Sequence, residues 1–458
     1  MTKQVRAYKY RLYPTIQQRQ FLAEWFGATR FIYNNLLEQN DKEHKDWFKQ
    51  QCDEWISSHG TMDGFKKPRY DKQISKYTFQ YRLPQLVKDN EWLDVLPAHT
   101  KQFVTHNLYS AFKNFFKGQG KYPSFHSRRG RNSFSENTST KIVGNKLFIP
   151  KHLKDGIEIR VPKHYRLQKG CKTNKYTVSC DGDPTNPKTR YFVSVQAVCD
   201  RKGRFCKNKH AVGLDMGLES RCVGSRPNFI TDKSMLKAED LHKVLNLRFD
   251  KENEEKIKKT QSILSRKVDK AKRYHKSLHS RSIERQYAKL RKLQTKQRNQ
   301  RLDFLHKLST DIVKNNGYIF VEDLSVKSMQ ERKNGSKNRM AKAIANASWF
   351  EFQRMLEYKS TWYGRLFFKV DARNTSKVCS CCGEKTLQKF TLGTRDWTCE
   401  KCGERHDRDV NASYNILARG LSKLASDGTA DYTDIVCGEG FSKTKFFRSA
   451  YMSKKLCR

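Results

Sequence analysis

The stretch AVGLDMGLESRCVGS, residues 211–225, contains the pattern that decides the expected fold. An apolar segment leads up to Asp215, and Gly217 then permits a tight turn into a second strand, RCVGS. A lone carboxylate in an apolar strand is costly to bury unless it is paired or binds a metal ion. Asp215 is therefore a candidate functional residue, whereas Glu219 falls in the turn and is expected to face solvent.

Two more acids mark the ends of structural elements farther along the chain. In NNGYIFVEDLS, residues 315–325, a helix end leads into a short strand, and Glu322 stands where that strand stops. In DRDVNASYNIL, residues 407–417, Asp409 precedes an amphipathic helix. Asp407 is the alternative, but residues two apart do not share a helix face, so the two are not expected to serve equally. Asp409 is the preferred third acid.

Together these segments form an ordered pattern. A strand ending in Asp, a hairpin and long helices are followed by a strand ending in Glu, a further strand (RLFFKVD, 365–371) and an Asp before a helix. This order fits a ribonuclease-H-like α/β core, in which one sheet edge gathers three acids. Three carboxylates can hold two Mg²⁺ ions about 3.5–4 Å apart, a hard ion that prefers oxygen ligands. We therefore expect Asp215, Glu322 and Asp409 to be catalytic and to bind two Mg²⁺ ions for phosphodiester hydrolysis.

Two Cys-x-x-Cys pairs, in CSCCGE and CEKCGE, predict a separate metal site. Sixteen residues lie between the pairs and a glycine follows each, as in a zinc ribbon, where four thiolates surround one Zn²⁺. The expected ligands are Cys379, Cys382, Cys399 and Cys402. Cys381 lies inside the first pair and is a competing ligand, although Cys379 gives the regular spacing. Because four thiolates close the coordination shell, this zinc is expected to be structural.

The net charge is the dominant feature of the composition. Ninety-two Lys and Arg against 47 Asp and Glu leave a formal charge of +45 on 458 residues. Such an excess repels itself unless an extended anion neutralises it, which favours DNA or RNA over a membrane as partner. No apolar run is long enough for a membrane span, and no signal peptide is expected.

The 13 cysteines, an odd number, favour a reducing compartment and a metal site over a disulfide framework. We expect a cytoplasmic protein of a prokaryote that is associated with the nucleoid when it binds DNA.

Changes in residue pattern along the chain, from strand-like to helical, predict a multidomain α+β architecture. The length allows about three domains. The N-terminal strand is expected to join a strand-rich module, a small barrel or open sheet, and the helical segment between them is then an insertion. The expected segments are 1–14 and 120–206 (strand-rich), 15–119 (helical), 207–377 and 404–420 (nuclease core), 378–403 (zinc ribbon) and 421–458 (a flexible tail).

Two segments of the nuclease core carry further expectations. Residues 228–316 contain neither Gly nor Pro, and apolar residues recur at steps of three and four, which predicts a basic helical hairpin over about 237–314. The basic segment ERKNGSKNRMAK, 331–342, is expected to be either a loop that covers the active site or a disordered connection.

Several of these motifs resemble one known family. VGLDMG, FVEDLS, the CSCCG…CEKCG ribbon and DRDVNASYNI are similar to the RuvC-type nuclease core of the transposon-encoded TnpB proteins. Compact type V CRISPR effectors and the eukaryotic Fanzor proteins share that core. The start, AYKYRLYPT…FGATRFIYN, and SWFEFQRMLEYKSTWYG (348–364) also resemble TnpB, so the similarity spans most of residues 6–417.

The resemblance implies roles for individual residues and for whole domains. It implies that Asp215, Glu322 and Asp409 coordinate the catalytic metals and that the four ribbon cysteines bind zinc. It further implies a wedge-like strand domain, a helical recognition domain, a guide RNA, and target double-stranded DNA with a short adjacent motif. The chain is longer than expected of TnpB, so a CRISPR-associated or Fanzor-like relative stays open, as does the choice between monomer and homodimer.

The leading hypothesis is an RNA-guided DNA endonuclease, in which base pairing reads sequence and the basic protein holds the backbone. Two alternatives are a guide-dependent repressor that does not cut and an unguided nuclease or transposase of the same fold. The hypothesis of a zinc-ribbon protein of the translation machinery would explain the charge and the cysteines but not the three acids. Phe125 and Phe134, near the basic tract HSRRGR (126–131), are expected either to stack on displaced bases or to pack in a core.

Overall fold

The computed structural model describes residues 3–66, 74–75, 77–128, 130–137, 140–150, 156–162, 171–184, 186–187, 189–200, 209–217, 222–237, 240–244, 249–278, 280–324, 348–391 and 393–426. The chain divides into two compact units, residues 1–202 and 203–458, which have separate hydrophobic cores. Glu219, the basic segment 331–342 and the C-terminal residues 427–458 lie outside the described residues, so the expectations for them stay predictions.

The first unit contains two antiparallel sheets. One has the order β1-β7-β6-β2, with β1 (Lys3–Leu12), β2 (Arg131–Glu136), β6 (Cys171–Asp181) and β7 (Arg190–Asp200). The other consists of β3 (Lys141–Val143), β4 (Lys146–Pro150) and β5 (Gly156–Arg160).

The N-terminal strand joins the strand-rich module, as predicted. β1 pairs with β7 along its whole length, from Lys3 opposite Asp200 to Leu12 opposite Tyr191, so the helices between β1 and β2 are an insertion. Within the described residues the strands form two sheets connected by an isolated bridge, Tyr13 to Arg160, rather than one closed barrel.

The inserted segment is helical. It contains α1 (Ile16–His59), α2 (Thr78–Lys88), a 3-10 turn (Glu91–Val95) and α3 (Ala98–Phe116). α1 begins with a capping box: the Thr15 side chain accepts from the Gln18 N–H, and the Gln18 side chain accepts from the Thr15 N–H.

The two aromatics near the basic tract have different surroundings. Phe134 is 2% exposed and packs against Trp25 and Phe26, with ring centroids 5.0 and 5.4 Å apart. Phe125 is 57% exposed. Phe134 is therefore a core residue, and of the two only Phe125 is available to stack on a base.

The second unit is built on a six-stranded sheet of order β10-β11-β9-β8-β12-β13. Its strands are β8 (Ala211–Asp215), β9 (Val223–Gly224), β10 (Leu236–Lys237), β11 (Asp240–Val244), β12 (Tyr318–Glu322) and β13 (Leu366–Val370). β8, β12 and β13 are parallel, and β9, β10 and β11 continue the sheet antiparallel to their neighbours.

Helices cover both faces of this sheet. They are α5 (Arg281–Asn315), α6 (Trp349–Tyr363) and α7 (Arg408–Ser426). α4 (Phe249–Arg273) packs on α5 instead, through a small cluster of Leu264, Ala271 and Ile283. Side chains alternate along the strands, so Val212 and Leu214 pack with α5 and α6, whereas Ala211 and Phe320 pack with α7. Within the part of the chain that the structure describes, this alternation places α7 behind β8 and β12.

The predicted helical hairpin of 237–314 is wrong at its beginning. α4 begins only at Phe249, and Asp240–Val244 form β11, in which Lys243 lies opposite Val223 of β9. The apolar spacing at Leu241 and Val244 is compatible with a helix, but the free edge of β9 offers hydrogen-bond partners that a local helix does not supply.

Two predicted boundaries near the C-terminus shift. The ribbon sheet pairs β14 (Asp396–Thr398) with β15 (Arg405–Asp407), so the ribbon continues to residue 407 rather than ending at 403. α7 continues to Ser426, beyond the predicted start of the tail at 421, because Leu421 and Leu424 extend its buried apolar stripe.

A disulfide joins Cys171 and Cys199, which lie opposite each other on β6 and β7. The sequence favoured a metal site over a disulfide framework and did not point to this pair, because strand pairing brings together two cysteines that are distant in sequence. No helix among the described residues is long and apolar enough to cross a membrane.

Candidate active site and metal centre

The fold brings the three candidate acids to one edge of the six-stranded sheet. Asp215 and Glu322 end the parallel strands β8 and β12, and the register that places Val321 opposite Leu214 puts the two acids side by side. Asp409 lies in the first turn of α7, the helix that packs on β8. Neighbouring parallel strands thus supply two acids, and a helix that is distant in sequence supplies the third.

The carboxylates influence one another. Loss of hydration raises the pKa of Asp215 well above its ordinary value, and the negative charges of Glu322 and Asp409 raise it further. The Met216 N–H and the Arg408 guanidinium oppose this effect without cancelling it. Like charges that are held this close favour protonation or a bound cation. The edge is therefore electrostatically suited to a cation.

Glu322 is buried, with 6% of its surface exposed, and is held by two neighbours. Thr375 donates its hydroxyl to Glu322 Oε1 at 2.5 Å, and Gln353 Nε2 donates to the Glu322 main-chain oxygen at 2.8 Å. Burial raises the pKa of Glu322, and the negative charge of Asp371 raises it further. The hydrogen bond from Thr375 and the positive charge of Arg419 act in the opposite direction. The sequence analysis did not identify these neighbours of Glu322. Asp371 could have been noticed, because it is an acid directly after a strand, as Glu322 is an acid at the end of one.

Asp407, the alternative third acid, has a structural role in this fold. It accepts a hydrogen bond from Lys243 and caps α7 by accepting the N–H groups of Asp409 and Val410, each at 3.0 Å. Burial favours a higher pKa for Asp407, but the Lys243 bond and these N–H groups outweigh it and lower the pKa. Both carboxylate oxygens of Asp407 are therefore engaged in hydrogen bonds within the fold.

Asp409 has different partners. Its Oδ2 lies 3.6 Å from Arg395 Nη1, and its Oδ1 lies 3.5 Å from Arg408 Nε. Arg395 belongs to the ribbon loop before β14, so a residue of the ribbon reaches an acid of the sheet edge. No pattern in the sequence pointed to either arginine.

The close approach of α7 to β8 depends on glycine. A Cβ at Gly213 would lie 2.3 Å from the Ser413 main-chain oxygen and 2.5 Å from the Leu417 nitrogen, closer than atoms can pack. A Cβ at Gly420 would lie 2.1 Å from the Phe320 ring. The glycine of VGLDMG therefore lets the helix that carries Asp409 lie directly against the strand that carries Asp215.

Gly213→Ala is expected to push α7 away from β8. Overpacking against main-chain atoms costs about 1–3 kcal/mol, so we expect the melting temperature of the full-length protein to fall by several degrees. Gly27→Ala is the control, because a Cβ there meets nothing closer than 3.9 Å. Equal melting temperatures of the two variants in thermal unfolding would contradict the tight crossing.

The four predicted ribbon cysteines form one cluster. Among the described residues, they are the one group of three or more metal-binding side chains whose ligand atoms all lie within 4.8 Å of one another. The Sγ atoms of Cys379 and Cys402 are 3.7 Å apart, and those of Cys382 and Cys399 are 3.6 Å apart. Cys381 stays outside this cluster.

Side chains of α7 attach the ribbon to the core. Asn411 accepts the Ser380 N–H and donates to the Val378 oxygen, both at 2.8 Å. Asn415 donates to the main-chain oxygens of Thr375 and Val378 at 2.8 and 2.6 Å. The asparagines of DRDVNASYN therefore fix the metal-binding cluster relative to the helix of Asp409.

Three family models match the chain. "Probable transposase" (OrfB_IS605) matches residues 197–333, "Cas12f1-like, TNB domain" matches 349–416, and "Helix-turn-helix domain" (HTH_OrfB_IS605) matches 1–49. The first two matches contain all three candidate acids and all four cluster cysteines. In the third, the structure places one strand and the beginning of the long helix α1.

Curated relatives match nearly the whole chain. "Putative RNA-guided DNA endonuclease" of Streptomyces pristinaespiralis is 31% identical over 446 residues, which cover 96% of this chain and 93% of that protein. A protein of the same description, InsQ of Escherichia coli K12, is 25% identical and covers 92% and 94%. "TnpB-like protein L79" of Acanthamoeba polyphaga mimivirus is 24% identical and covers 90% and 73%.

A solved structure of a Cas12f1–sgRNA–target DNA complex covers 90% of this chain and 98% of the Cas12f1 chain, with 13% identity and a TM-score of 0.47. The family assignment depends instead on the sequence matches, which are long, nearly complete in both chains, and include the motifs on which the resemblance to TnpB was based. The chain belongs to the TnpB family of transposon-encoded proteins, which is related to the type V CRISPR effectors.

Proposed function

We propose that this protein is an RNA-guided DNA endonuclease that binds a structured guide RNA and cuts target DNA in a single site formed by Asp215, Glu322 and Asp409. The observation that carries the proposal is the meeting of these three carboxylates at one sheet edge in a chain with a net charge of +45. The names of its relatives, which denote RNA-guided DNA endonucleases, support the same activity.

The proposed nuclease domain is a ribonuclease-H-like, RuvC-type core. Its support is the sheet order β10-β11-β9-β8-β12-β13, in which the acid-bearing strands β8 and β12 are parallel neighbours and β9 returns antiparallel. Ligand sites in such open sheets lie outside the carboxyl ends of the strands. Asp215 and Glu322 occupy those ends, and α7 adds Asp409 from behind the same strands.

The residues at this edge fit magnesium. The donor set is three carboxylates, two of which have raised pKa values because burial and like charge disfavour their ionised forms in the absence of a cation. Bound Mg²⁺ would supply an activated water and stabilise the leaving oxygen of a phosphodiester. Thr375 orients Glu322, and the capped first turn of α7 holds Asp409 beside it.

The four-cysteine cluster fits zinc, which prefers tetrahedral thiolate ligands. With all four positions filled by protein, its role is structural: it holds the ribbon to α7 and so supports the active site. In this proposal the three acids are catalytic and the four cysteines are structural.

Recognition of the target is proposed to rest on base pairing. A surplus of 45 positive charges suits a channel that holds an RNA–DNA duplex by its backbone and leaves sequence choice to the guide. The strand-rich segments of the first unit would form a wedge-like domain and its inserted helices a recognition domain. A cytoplasmic, nucleoid-associated location follows from this proposal.

The decisive experiment is sequencing of the RNA that co-purifies when the protein is expressed with its native flanking DNA. A single abundant species with a structured scaffold and a variable end is expected, and the purified complex should cut DNA that matches this end only when Mg²⁺ is present. Heterogeneous RNA fragments together with cutting that ignores sequence would instead establish an unguided nuclease. The origin of the RNA would separate a transposon end from a CRISPR repeat.

A further inference from the structure

His406 of β15 contacts one cysteine of the metal-binding cluster. Its Nε2 lies 3.0 Å from Cys379 Sγ. Among the described residues, the group whose ligand atoms all lie within 4.8 Å of one another consists of the four cysteines and does not include this histidine. His406 therefore lies beside the coordination shell, against one of its ligands, rather than within the shell.

The direction of this hydrogen bond follows from the chemistry of a zinc site. A metal-bound cysteine is a thiolate without a proton, so its sulfur can only accept. A neutral imidazole donates from the ring nitrogen that carries its hydrogen, and contact with a thiolate selects the tautomer that has the hydrogen on Nε2. His406 is thus the donor to Cys379 whenever the cluster holds a metal ion.

Cys379 differs from the other ligands in its surroundings. Its side chain is fully buried, whereas Cys402 is exposed, so water can stabilise charge on the sulfur of Cys402 but not on that of Cys379. Buried charge has to be stabilised by donors that the protein itself supplies. The Cys382 N–H also donates to Cys379 Sγ, at 3.5 Å, and the imidazole makes the shorter of these two contacts.

The imidazole is held in place by the ribbon. His406 is 8% exposed and lies opposite Trp397 in the β14–β15 pair, with ring centroids 4.8 Å apart. A side chain that is already packed loses little conformational freedom when it makes the hydrogen bond. The next residue, Asp407, caps α7, so His406 lies between the cluster and the start of the helix that carries Asp409.

We propose that His406 is a positioning residue of the zinc centre, which donates from Nε2 to the Cys379 thiolate and thereby increases the metal affinity of the four-cysteine cluster. This inference rests on the zinc site of the proposed function and does not depend on the cutting activity. Groups that hydrogen-bond to metal ligands typically contribute about 10- to 100-fold to metal affinity.

Titration with Co²⁺ of the full-length protein, freed of zinc under reducing conditions, tests this inference. Thiolate-to-cobalt absorption reports on sulfur ligands, so Co²⁺ bound at the acids does not contribute to it. His406→Phe keeps an aromatic ring against Trp397 but lacks the donor, and it should bind Co²⁺ about 10- to 100-fold more weakly.

The same titration supplies a spectroscopic signature of the hydrogen bond. Loss of the bond raises the energy of the sulfur lone pair, so the thiolate-to-cobalt band of His406→Phe should move to longer wavelength. The d–d bands of the wild type and of this variant should both have the pattern of four sulfur ligands, because His406 is not itself a ligand.

Two further variants separate the donor from the packing of the ring. His406→Gln places an amide N–H donor at similar reach and should recover most of the affinity and the wild-type band position. Phe390→Leu changes the apolar core of the ribbon next to Trp397, where the ring centroids are 5.7 Å apart, but removes no donor. It should leave the band at the wild-type wavelength.

Equal Co²⁺ affinity and band position in the wild type and His406→Phe would overturn the inference and leave the zinc site in place. So would a His406→Gln variant that behaves like His406→Phe, or a wild-type spectrum of three sulfurs and one nitrogen, which would make His406 a ligand. A wild type without any thiolate-to-cobalt band would remove the zinc site itself, and the inference with it.

Discussion

Asp215→Asn is expected to lower cutting of guide-matched DNA by about 10³-fold or more while leaving guide RNA binding unchanged. The size follows from removal of one member of a catalytic group that acts as a unit. Cutting is measured on labelled DNA at saturating Mg²⁺, and RNA binding by filter retention. Asp407→Asn is the matched control: it alters the acid that caps α7 and pairs with Lys243, and it should cut within about ten-fold of the wild type.

The same substitution should stabilise the metal-free protein. Burial and the charges of Glu322 and Asp409 raise the pKa of Asp215, so its carboxylate disfavours folding increasingly as pH rises above about 3.9 through the raised folded-state pKa. At pH 7.5 with a chelator, Asp215→Asn should therefore melt at a higher temperature than the wild type, and the difference should shrink at acid pH. Mg²⁺ should raise the melting temperature of the wild type alone.

Retained cutting by Asp215→Asn would remove Asp215 from the catalytic group. A lower melting temperature without metal would show that the acids are not under mutual repulsion. The two readouts are independent, so a variant that merely misfolds cannot imitate the expected combination of lost cutting, normal RNA binding and increased stability.

Cys399→Ser is expected to abolish stoichiometric zinc binding and, with it, the order of the ribbon. Zinc contributes roughly 10–16 kcal/mol of apparent binding energy in small structural sites at pH 7, far more than the ribbon's small core supplies. Metal content is measured by mass spectrometry of the purified protein, with one zinc per chain expected in the wild type. Cutting should fall too, because Asn411 and Asn415 couple the ribbon to the helix of Asp409.

Cys381→Ser is the control for this prediction, because Cys381 adjoins a ligand but lies outside the cluster. It should retain one zinc per chain and normal cutting. Loss of zinc from Cys381→Ser, together with retention of zinc in Cys379→Ser, would mean that Cys381 and not Cys379 is the zinc ligand. Faster amide exchange confined to the ribbon and the first turns of α7 in Cys399→Ser would confirm the coupling.

Local patterns were enough to predict much of the second unit. Asp215 and Glu322 do end strands, and the two cysteine pairs do converge, because each signal lies within a few residues and depends on short-range geometry. The same locality explains the error at Asp240–Val244, where apolar spacing suggested a helix but the edge of β9 provided strand partners. Propensity is a weak guide where a sheet edge is available.

The sequence by itself therefore determined the kinds of site. They are three acids at the ends of strands or at the start of a helix, two Cys-x-x-Cys pairs, and a large excess of Lys and Arg. Only the tertiary structure decided which residues surround each site. It assigned Asp407 to the cap of α7, set Arg395 and Arg408 beside Asp409, and used Gly213 to bring α7 against β8. The physical reason is range: a motif fixes which chemistry a residue can perform, whereas the charges and hydrogen bonds around it come from segments that only folding brings near.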